Sequence, residues 1–513
     1  MSNISMNTPT PSSKLVPSNS LLPGGFLLGA AVASFQVEGW INGPGEPTNN
    51  WKDWETTGRV WRKEPSGIGV DFWNRYEEYF DLAKNAGCNA LRFGIEWARV
   101  EPQRGQFDED AIGHYAEMLK QCRSRGIQPL ITLCHWTHPY WCGEKLWLSD
   151  ESPEIFSRYV TKIVPALRDY CSHWVTINEM NALTMLSYLF GAFPPGLHSP
   201  SKASVASGHM LEAHIKAYEA IHTIQPDAMV TTNNWSTSIY ELDRLFIDLL
   251  SARKAGVVRD DVDPWIVQKR QEWYSTIGFP PKDRIQERLL RTLVAAQSPA
   301  GSPVGRIGKL AKVGRHGQRA GHGHRAGTAR VLDAVYSSPF EITLDMVGID
   351  YYTPLLSDRM VLPGHRETGG RGWLPTRMMW DDPVDPHGLV NYIRANQTAG
   401  LPVWIVENGL CNRVVRGHAY NRIDGWDRPR YLKEILGAMV EALDSGLSVG
   451  GYFHWSLVDN YEWGSYQPRF GIYGVDRERG VKLLPTDSMG MDSAAAFKSM
   501  YKGLLAGDRS VIA

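Results

Sequence analysis

WVTINE, residues 174–179, sets the reading of the fold. Trp174, Val175, Thr176 and Ile177 are aromatic or β-branched, and Asn178 and Glu179 close the run with an amide and a carboxylate. That composition predicts a short buried strand carrying polar groups at its C-terminal end. Seven further runs have the same build: FLLGAAVAS (26–34), ALRFGIEW (90–97), QPLITLCHW (128–136), MVTTNNW (229–235), MVGIDYY (346–352), PVWIVEN (402–408) and GGYFHWS (450–456). Helical patterns lie between them. Residues 71–86 set Phe72, Tyr76, Tyr79 and Phe80 on one face and stop at Gly87. Residues 108–125 space Ile112, Tyr115, Met118, Leu119 and Cys122 helically and stop at Gly126. Strands alternating with helices imply parallel crossovers. Eight such units predict an α/β fold, a single closed (β/α)8 barrel with extended βα loops, rather than an open sheet.

The chain has 513 residues, and barrels of this kind run from about 200 to over 400 residues as one domain. Residues 21–505 therefore read as one catalytic barrel, preceded by a flexible tail over 1–20. Residues 301–330 break the pattern: they are rich in Gly, Arg and His and contain no Asp or Glu. They read as a flexible insertion, with anion or weak metal binding by His316, His322 and His324 as the alternative.

A formal charge of −1 gives no pull toward nucleic acid or an anionic membrane. No run of apolar residues is long enough to span a bilayer. The first 20 residues lack a charged segment followed by an apolar core, so no secretory signal is expected. The six cysteines show neither a CxxC pair nor metal-ligand spacing with histidine. They read as free thiols in a reducing compartment, the cytoplasm. Oligomeric state leaves no trace in the sequence. The 19 tryptophans mostly suit core filling, yet their excess favours a ligand with apolar faces, such as a sugar or an aromatic group.

Almost every predicted strand ends in polar or aromatic residues: Glu96-Trp97, His135-Trp136, Asn178-Glu179, Asn233-Asn234-Trp235, Asp350-Tyr351-Tyr352, Glu407-Asn408 and Trp455-Ser456. In a barrel these ends converge on one mouth, where barrel active sites lie. Buried carboxylates and amides are costly there unless they have partners or work to do. Glu179 and Glu407 would face each other across that mouth. Two opposed carboxylates suit glycoside hydrolysis, although barrels also use such groups for metals and for proton abstraction.

Four longer motifs sharpen the reading. Phe26-Leu27-Leu28-Gly29-Ala30-Ala31 through Gln36-Val37-Glu38-Gly39, Thr176-Ile177-Asn178-Glu179, Glu407-Asn408-Gly409, and His454-Trp455-Ser456-Leu457-Val458-Asp459-Asn460-Tyr461-Glu462-Trp463 stand in order along the chain. In them the chain resembles glycoside hydrolase family 1, the β-glucosidase family, over residues 22–501. The resemblance implies a retaining β-glycosidase acting on a small-molecule β-glycoside, with no cofactor and no metal. Glu179 would be the acid/base and Glu407 the nucleophile. Arg92, Asn178 and Tyr352 would support them. Gln36, His135, Asn178 and Glu462 would bind sugar hydroxyls. Trp455 would lie under the sugar, with Trp136 and Trp463 nearby, and Phe470 would close the subsite. Arg92 and Tyr352 should keep Glu407 ionised, while its charge and a partly dry pocket keep Glu179 protonated. A free 6-hydroxyl is expected, because relatives that take 6-phosphoglycosides replace the Glu-Trp pair that here is Glu462-Trp463.

Three positions depart from the family pattern. Met180 stands where Pro is usual, implying a local backbone effect only. Thr137 and His138 alter a His-Trp-Asp-x-Pro stretch and could reshape the entrance. Asp350 stands where Asn is usual, bringing a third carboxyl beside the pair. Either it is protonated and mimics Asn, or its charge raises the pKa of Glu179, or it turns away to an Arg or a backbone N–H. A transglycosidase using the same site is the alternative function. A metal hydrolase built on His135, His138 and Glu179 lacks the usual ligand spacings.

Overall fold

The computed structural model describes residues 19–277, 330–352, 379–382, 384–478 and 480–513. Of the expected tail and insertion, residues 1–18 and 301–329 lie outside the described residues. The core is a ring of parallel strands: β1 (Leu27–Ala31), β2 (Ala90–Gly94), β3 (Gln128–Cys134), β4 (His173–Ile177), β5 (Met229–Thr231), β6 (Asn233–Trp235), β7 (Val347–Asp350), β8 (Val403–Asn408) and β9 (Val449–Trp455). They pair in the order β5-β4-β3-β2-β1-β9-β8-β7-β6. The (β/α)8 expectation holds, with one amendment. The fifth run is cut at Thr232 into β5, which pairs β4, and β6, which pairs β7. Side chains bridge the cut. Thr231 Oγ1 donates to Met346 O at 2.9 Å, and Thr232 Oγ1 donates to Ile177 O at 2.7 Å. Hydroxyls thus replace ladder bonds where the ring is joined.

The interior shows why these residues make these strands. Trp404, Phe453, Leu130, Val175 and Met346 form a buried cluster inside the ring. The Trp404 indole is stacked on Phe453 with centroids 6.1 Å apart. Gly450 makes room for it, since a Cβ there would meet Trp404 Nε1 at 2.2 Å. A larger cluster joins the outer strand faces to the helices. The expected helices over 71–86 and 108–125 are α1 (Phe72–Asn85) and α2 (Glu109–Ser124). The latter begins at Asp108, whose side chain accepts from Ala111 N. Further helices are α3 (Ser152–Leu167), α4 (Pro200–Ile224), α5 (Val262–Ile277), α6 (Pro386–Ala395), α7 (Arg428–Asp444) and α8 (Ser493–Ala506). Among the described residues no helix is long and apolar enough to cross a membrane.

Most strands stop sooner than the sequence suggests, although β8 runs to Asn408 as expected. β4 ends at Ile177, and Glu179 lies beyond it in a left-handed conformation, φ 40° and ψ 60°. Met180 then begins a four-residue helix. At this first helical position a missing N–H costs nothing, so Met serves where Pro is usual. A π-helical stretch, Thr184–Leu189, follows.

Candidate active site

Glu179 and Glu407 come together at the C-terminal mouth of the ring, 94% and 96% buried. Asp350, at the end of β7 and fully buried, joins them. One carboxylate oxygen from each lies within 4.8 Å of the other two. Three acids this close cannot all be charged unless a cation sits among them. Arg92, projecting from β2, supplies one positive charge. Its Nη1 is 2.8 Å from Glu407 Oε1 and donates also to Val406 O at 3.0 Å. Its Nε donates to Thr132 Oγ1 at 3.0 Å, and its Nη2 donates to Asn178 Oδ1. Tyr352 OH donates to Glu407 Oε2 at 3.3 Å.

These partners separate the three acids. Burial raises the pKa of Glu407, but Arg92 and Tyr352 pull it back. Glu179 is pushed well above the carboxylate range, first by burial and then by the charge of Glu407. Asp350 is pushed up likewise, by burial and then by Glu407 and Glu179. Glu407 is therefore the first to ionise, and Glu179 keeps its proton.

The other expected residues assemble around this pair. Asn178 Oδ1 accepts from Arg92 and from Asn233 Nδ2, the latter at 2.8 Å. That orients its amide so that Nδ2 donates to His135 Nε2 at 3.2 Å. Burial and the Arg92 charge hold the His135 pKa well below its usual value. The ring is therefore neutral, with its proton on Nδ1. Gln36 Nε2 donates to Tyr461 O at 2.9 Å, Asn460 Oδ1 at 3.0 Å and Glu462 Oε2 at 3.3 Å. Glu462 Oε1 accepts from Trp455 Nε1 at 3.1 Å, and burial pushes its pKa up to about 8. Trp136 and Trp463 meet with ring centroids 4.7 Å apart, and Phe470 stands edge-on to Tyr352. Among the described residues Gln36 Oε1 and His135 Nδ1, both buried, have no protein partner.

A cavity of about 350 Å³ opens here. Gln36, His135, Trp136, Glu179, Glu407, Tyr352, Trp455, Glu462, Trp463 and Phe470 all line it. Arg92, Asn178 and Asp350 do not; they stand behind its wall, each 0–1% exposed. Leu186, Phe193, Trp235, Met379 and Val384 add apolar wall. Gly409, two residues past Glu407, is forced by close approach, because a Cβ there would stand 1.9 Å from Trp455 O. The departures Thr137 and His138 are buried and do not line the cavity. Thr137 Oγ1 donates to Glu96 at 2.9 Å, and His138 N donates to Asn50 Oδ1 at 3.0 Å. His138 Nε2 is engaged by Gly143 O at 3.1 Å. Sequence reasoning missed the roles of Thr132, Asn460 and above all Asn233. The last stood in a run of strand-end polar residues, but its partners Asn178 and Asp350 come from neighbouring strands.

Three comparisons bear on this site. A family model described as Glycosyl hydrolase family 1 matches residues 18–258 and 322–491. The stretch it omits, 259–321, takes in much of the Gly/Arg/His-rich segment. A β-glucosidase of Agrobacterium sp. is 27% identical over 476 residues, covering 90% of this chain and 92% of its own. A 6-phospho-β-galactosidase of Streptococcus pneumoniae is 27% identical over 477 residues, covering 91% and 97%. The solved structure of a Thermotoga maritima β-glucosidase in complex with castanospermine aligns at TM-score 0.68 with 21% identity, covering 94% of this chain and 98% of that one.

Proposed function

This chain belongs to glycosyl hydrolase family 1 and is a glycoside hydrolase, and from that premise we propose that it is a retaining β-glycosidase of the β-glucosidase type. It removes terminal non-reducing β-D-glycosyl residues in two displacements. The observation that carries the reading is the Glu179–Glu407 pair, with oxygens within 4.8 Å and a cation bonded to Glu407. Retaining enzymes hold the two carboxyl groups about 5–5.5 Å apart, whereas inverting enzymes need roughly 6.5–9.5 Å to admit a water.

In the first step Glu407 attacks the anomeric carbon while the bond to the departing oxygen breaks. Glu179 gives its proton to that oxygen. The new ester cancels the charge of Glu407, so the carboxylate left on Glu179 is no longer opposed by it. In the second step Glu179 takes a proton from water as the water oxygen bonds to the anomeric carbon, and Glu407 leaves as carboxylate. Net configuration is retained. The unpartnered Nδ1–H of His135 and Oε1 of Gln36 offer a donor and an acceptor to sugar hydroxyls, with Glu462 beside them. Trp455 offers an apolar face to the ring. Asn178, set by Arg92 and Asn233 behind the cavity wall, acts on the sugar through His135, to which its Nδ2 donates. The apolar wall of Leu186, Phe193, Trp235 and Met379 favours an aryl or alkyl aglycone over a second sugar. The unpaired state of all six cysteines fits residence in the cytoplasm.

A 2-deoxy-2-fluoro-β-glucoside with a good leaving group should trap the intermediate, and peptide mapping should find the label on Glu407. Label on another residue, or an initial product of inverted configuration, would overturn the proposal.

A further inference from the structure

Asp350 is the one carboxyl of the cluster that the two-step mechanism does not use. It is fully buried behind the cavity wall, so it does not touch substrate. Its Oδ2 accepts from Asn233 Nδ2. Among the described residues its Oδ1 receives no N–H or hydroxyl donor. The nearest cationic atom among the described residues, Arg92 Nη1, is 4.0 Å from Oδ1 and already donates to Glu407 and Val406 O. Among the described residues the titratable groups around Asp350 are Glu179 after β4, Glu407 on β8, Arg92 on β2 and Tyr352 on its own segment. β6 adds only the Asn233 amide. A charged Asp350 would thus be a second buried anion competing for a cation that Glu407 holds, with one bare oxygen. A protonated Asp350 has a use for that oxygen, because Glu179 is its neighbour within the 4.8 Å cluster.

We propose that Asp350 is a positioning residue that carries a proton and donates it, as an O–H···O hydrogen bond, to Glu179 from behind the cavity wall. It thereby does with an acid O–H what an amide N–H would do at this position. When Glu179 gives up its proton to the departing oxygen, the resulting carboxylate accepts the Asp350 O–H. When Glu179 takes a proton from water, the Asp350 proton stays where it was. Asp350 gains and loses nothing over the cycle. It stabilises the ionised form of Glu179 and holds its side chain in line.

The inference rests on Glu179 being the acid/base, and its test can fail separately. Asp350→Asn keeps the geometry, with the amide oxygen toward Asn233 and the amide N–H toward Glu179, and removes only the titratable proton. Asp350→Leu keeps the shape and removes the donor. D350N should retain most of the kcat/KM of the parent at the optimum. Infrared spectra at neutral pH should lack one protonated-carboxyl carbonyl band of the parent. In D350L the alkaline limb of kcat/KM, which reports Glu179 losing its proton, should move up by about one pH unit, because the carboxylate has lost a donor. Its kcat on alkyl glucosides should fall about tenfold. If D350L does not fold, the infrared difference and the D350N profile decide alone. An alkaline limb displaced downward in D350N would mean that Asp350 is ionised in the parent. That result, or an unchanged set of protonated-carboxyl bands, overturns the proposal. A wrong assignment of Glu179 would instead show in Glu179→Ala, as equal losses on activated and poor leaving groups.

Discussion

Tyr352→Phe removes a single hydroxyl and isolates one cause of the acidity of Glu407. The hydroxyl donates to Oε2 at 3.3 Å, while Arg92 holds Oε1 at 2.8 Å. Hydrogen bonds to charged groups contribute about 1.5–3 kcal/mol, and this one, being long, belongs at the lower end. At roughly 1.36 kcal/mol per pK unit, losing it should raise the Glu407 pKa by about one unit. The nucleophile must be ionised, so the acid limb of the kcat/KM profile should move up by about one pH unit. Plateau activity should change less, because Arg92 still neutralises the carboxylate. The fold should be indifferent. The phenyl ring still meets Phe470, and the bonds between Tyr352 backbone and Ser236 Oγ at 3.1 and 3.2 Å do not involve the phenol. The assay is kcat/KM for 4-nitrophenyl β-glucoside across acid to alkaline buffers, with thermal melting as control. An acid limb that stays put or moves down, in a protein of parental stability, would refute the argument that Tyr352 helps to keep Glu407 charged.

Further outcomes follow from the same geometry. Glu179→Ala should cripple turnover of alkyl glucosides far more than of activated aryl glucosides, and azide should restore it with formation of a β-glycosyl azide; equal losses without rescue would remove Glu179 from the acid/base role. Glucosides with a free 6-hydroxyl should show higher kcat/KM than their 6-phosphates. Among the described residues lining the cavity Arg422 is the only Lys or Arg, and it pairs with Asp424 at 2.5 Å, while Glu462 lines the same cavity; a preference for the phosphate would refute this. Glu96, buried and beside Glu38, is pushed up to about 7 from an ordinary 4.5. Its folded form holds the proton more tightly than the unfolded one. Its contribution to stability is therefore full below about pH 4.5 and is lost as pH rises through 7, to a total on the order of 3 kcal/mol. Glu96→Gln should flatten the fall in melting temperature between pH 5 and 8, and parallel curves would count against the assignment.

The barrel was legible because its signal is repeated. Eight short apolar runs with polar tips, separated by helical patterns, admit few other topologies, and each run matches the strand or strands found to within a few residues at either end. What could not be read is where neighbours act on one another. Residues 229–235 look like one unbroken strand; the cut at Thr232 comes from how Thr231 and Thr232 bridge to β7 and β4. Glu179 looks like the last strand residue, yet its φ of 40° is set by the helix that starts behind it. Glu179 and Glu407 were legible because they sit in motifs. Asn233 was not, since an asparagine at a strand end says nothing about whether it faces Asp350. The tryptophans divided along similar lines. Trp51, Trp97, Trp147 and Trp174 fill the core, whereas Trp136, Trp235, Trp455 and Trp463 line the cavity. Composition alone could announce the excess and not the division.

Gly409 gives the site a vulnerability of another kind. It bears no group that could react or bind, yet even alanine there would drive a methyl to within 1.9 Å of Trp455 O and lift the strand end that carries Glu407 away from the floor of the sugar site. In a saturation library selected for hydrolysis, position 409 should therefore be as intolerant as position 407. Over evolutionary time it should drift no faster than Glu407, which it stands beside. A laboratory seeking new aglycone preferences would do better to diversify Leu186, Phe193 and Met379, whose side chains face the cavity without setting the distance between the two glutamates.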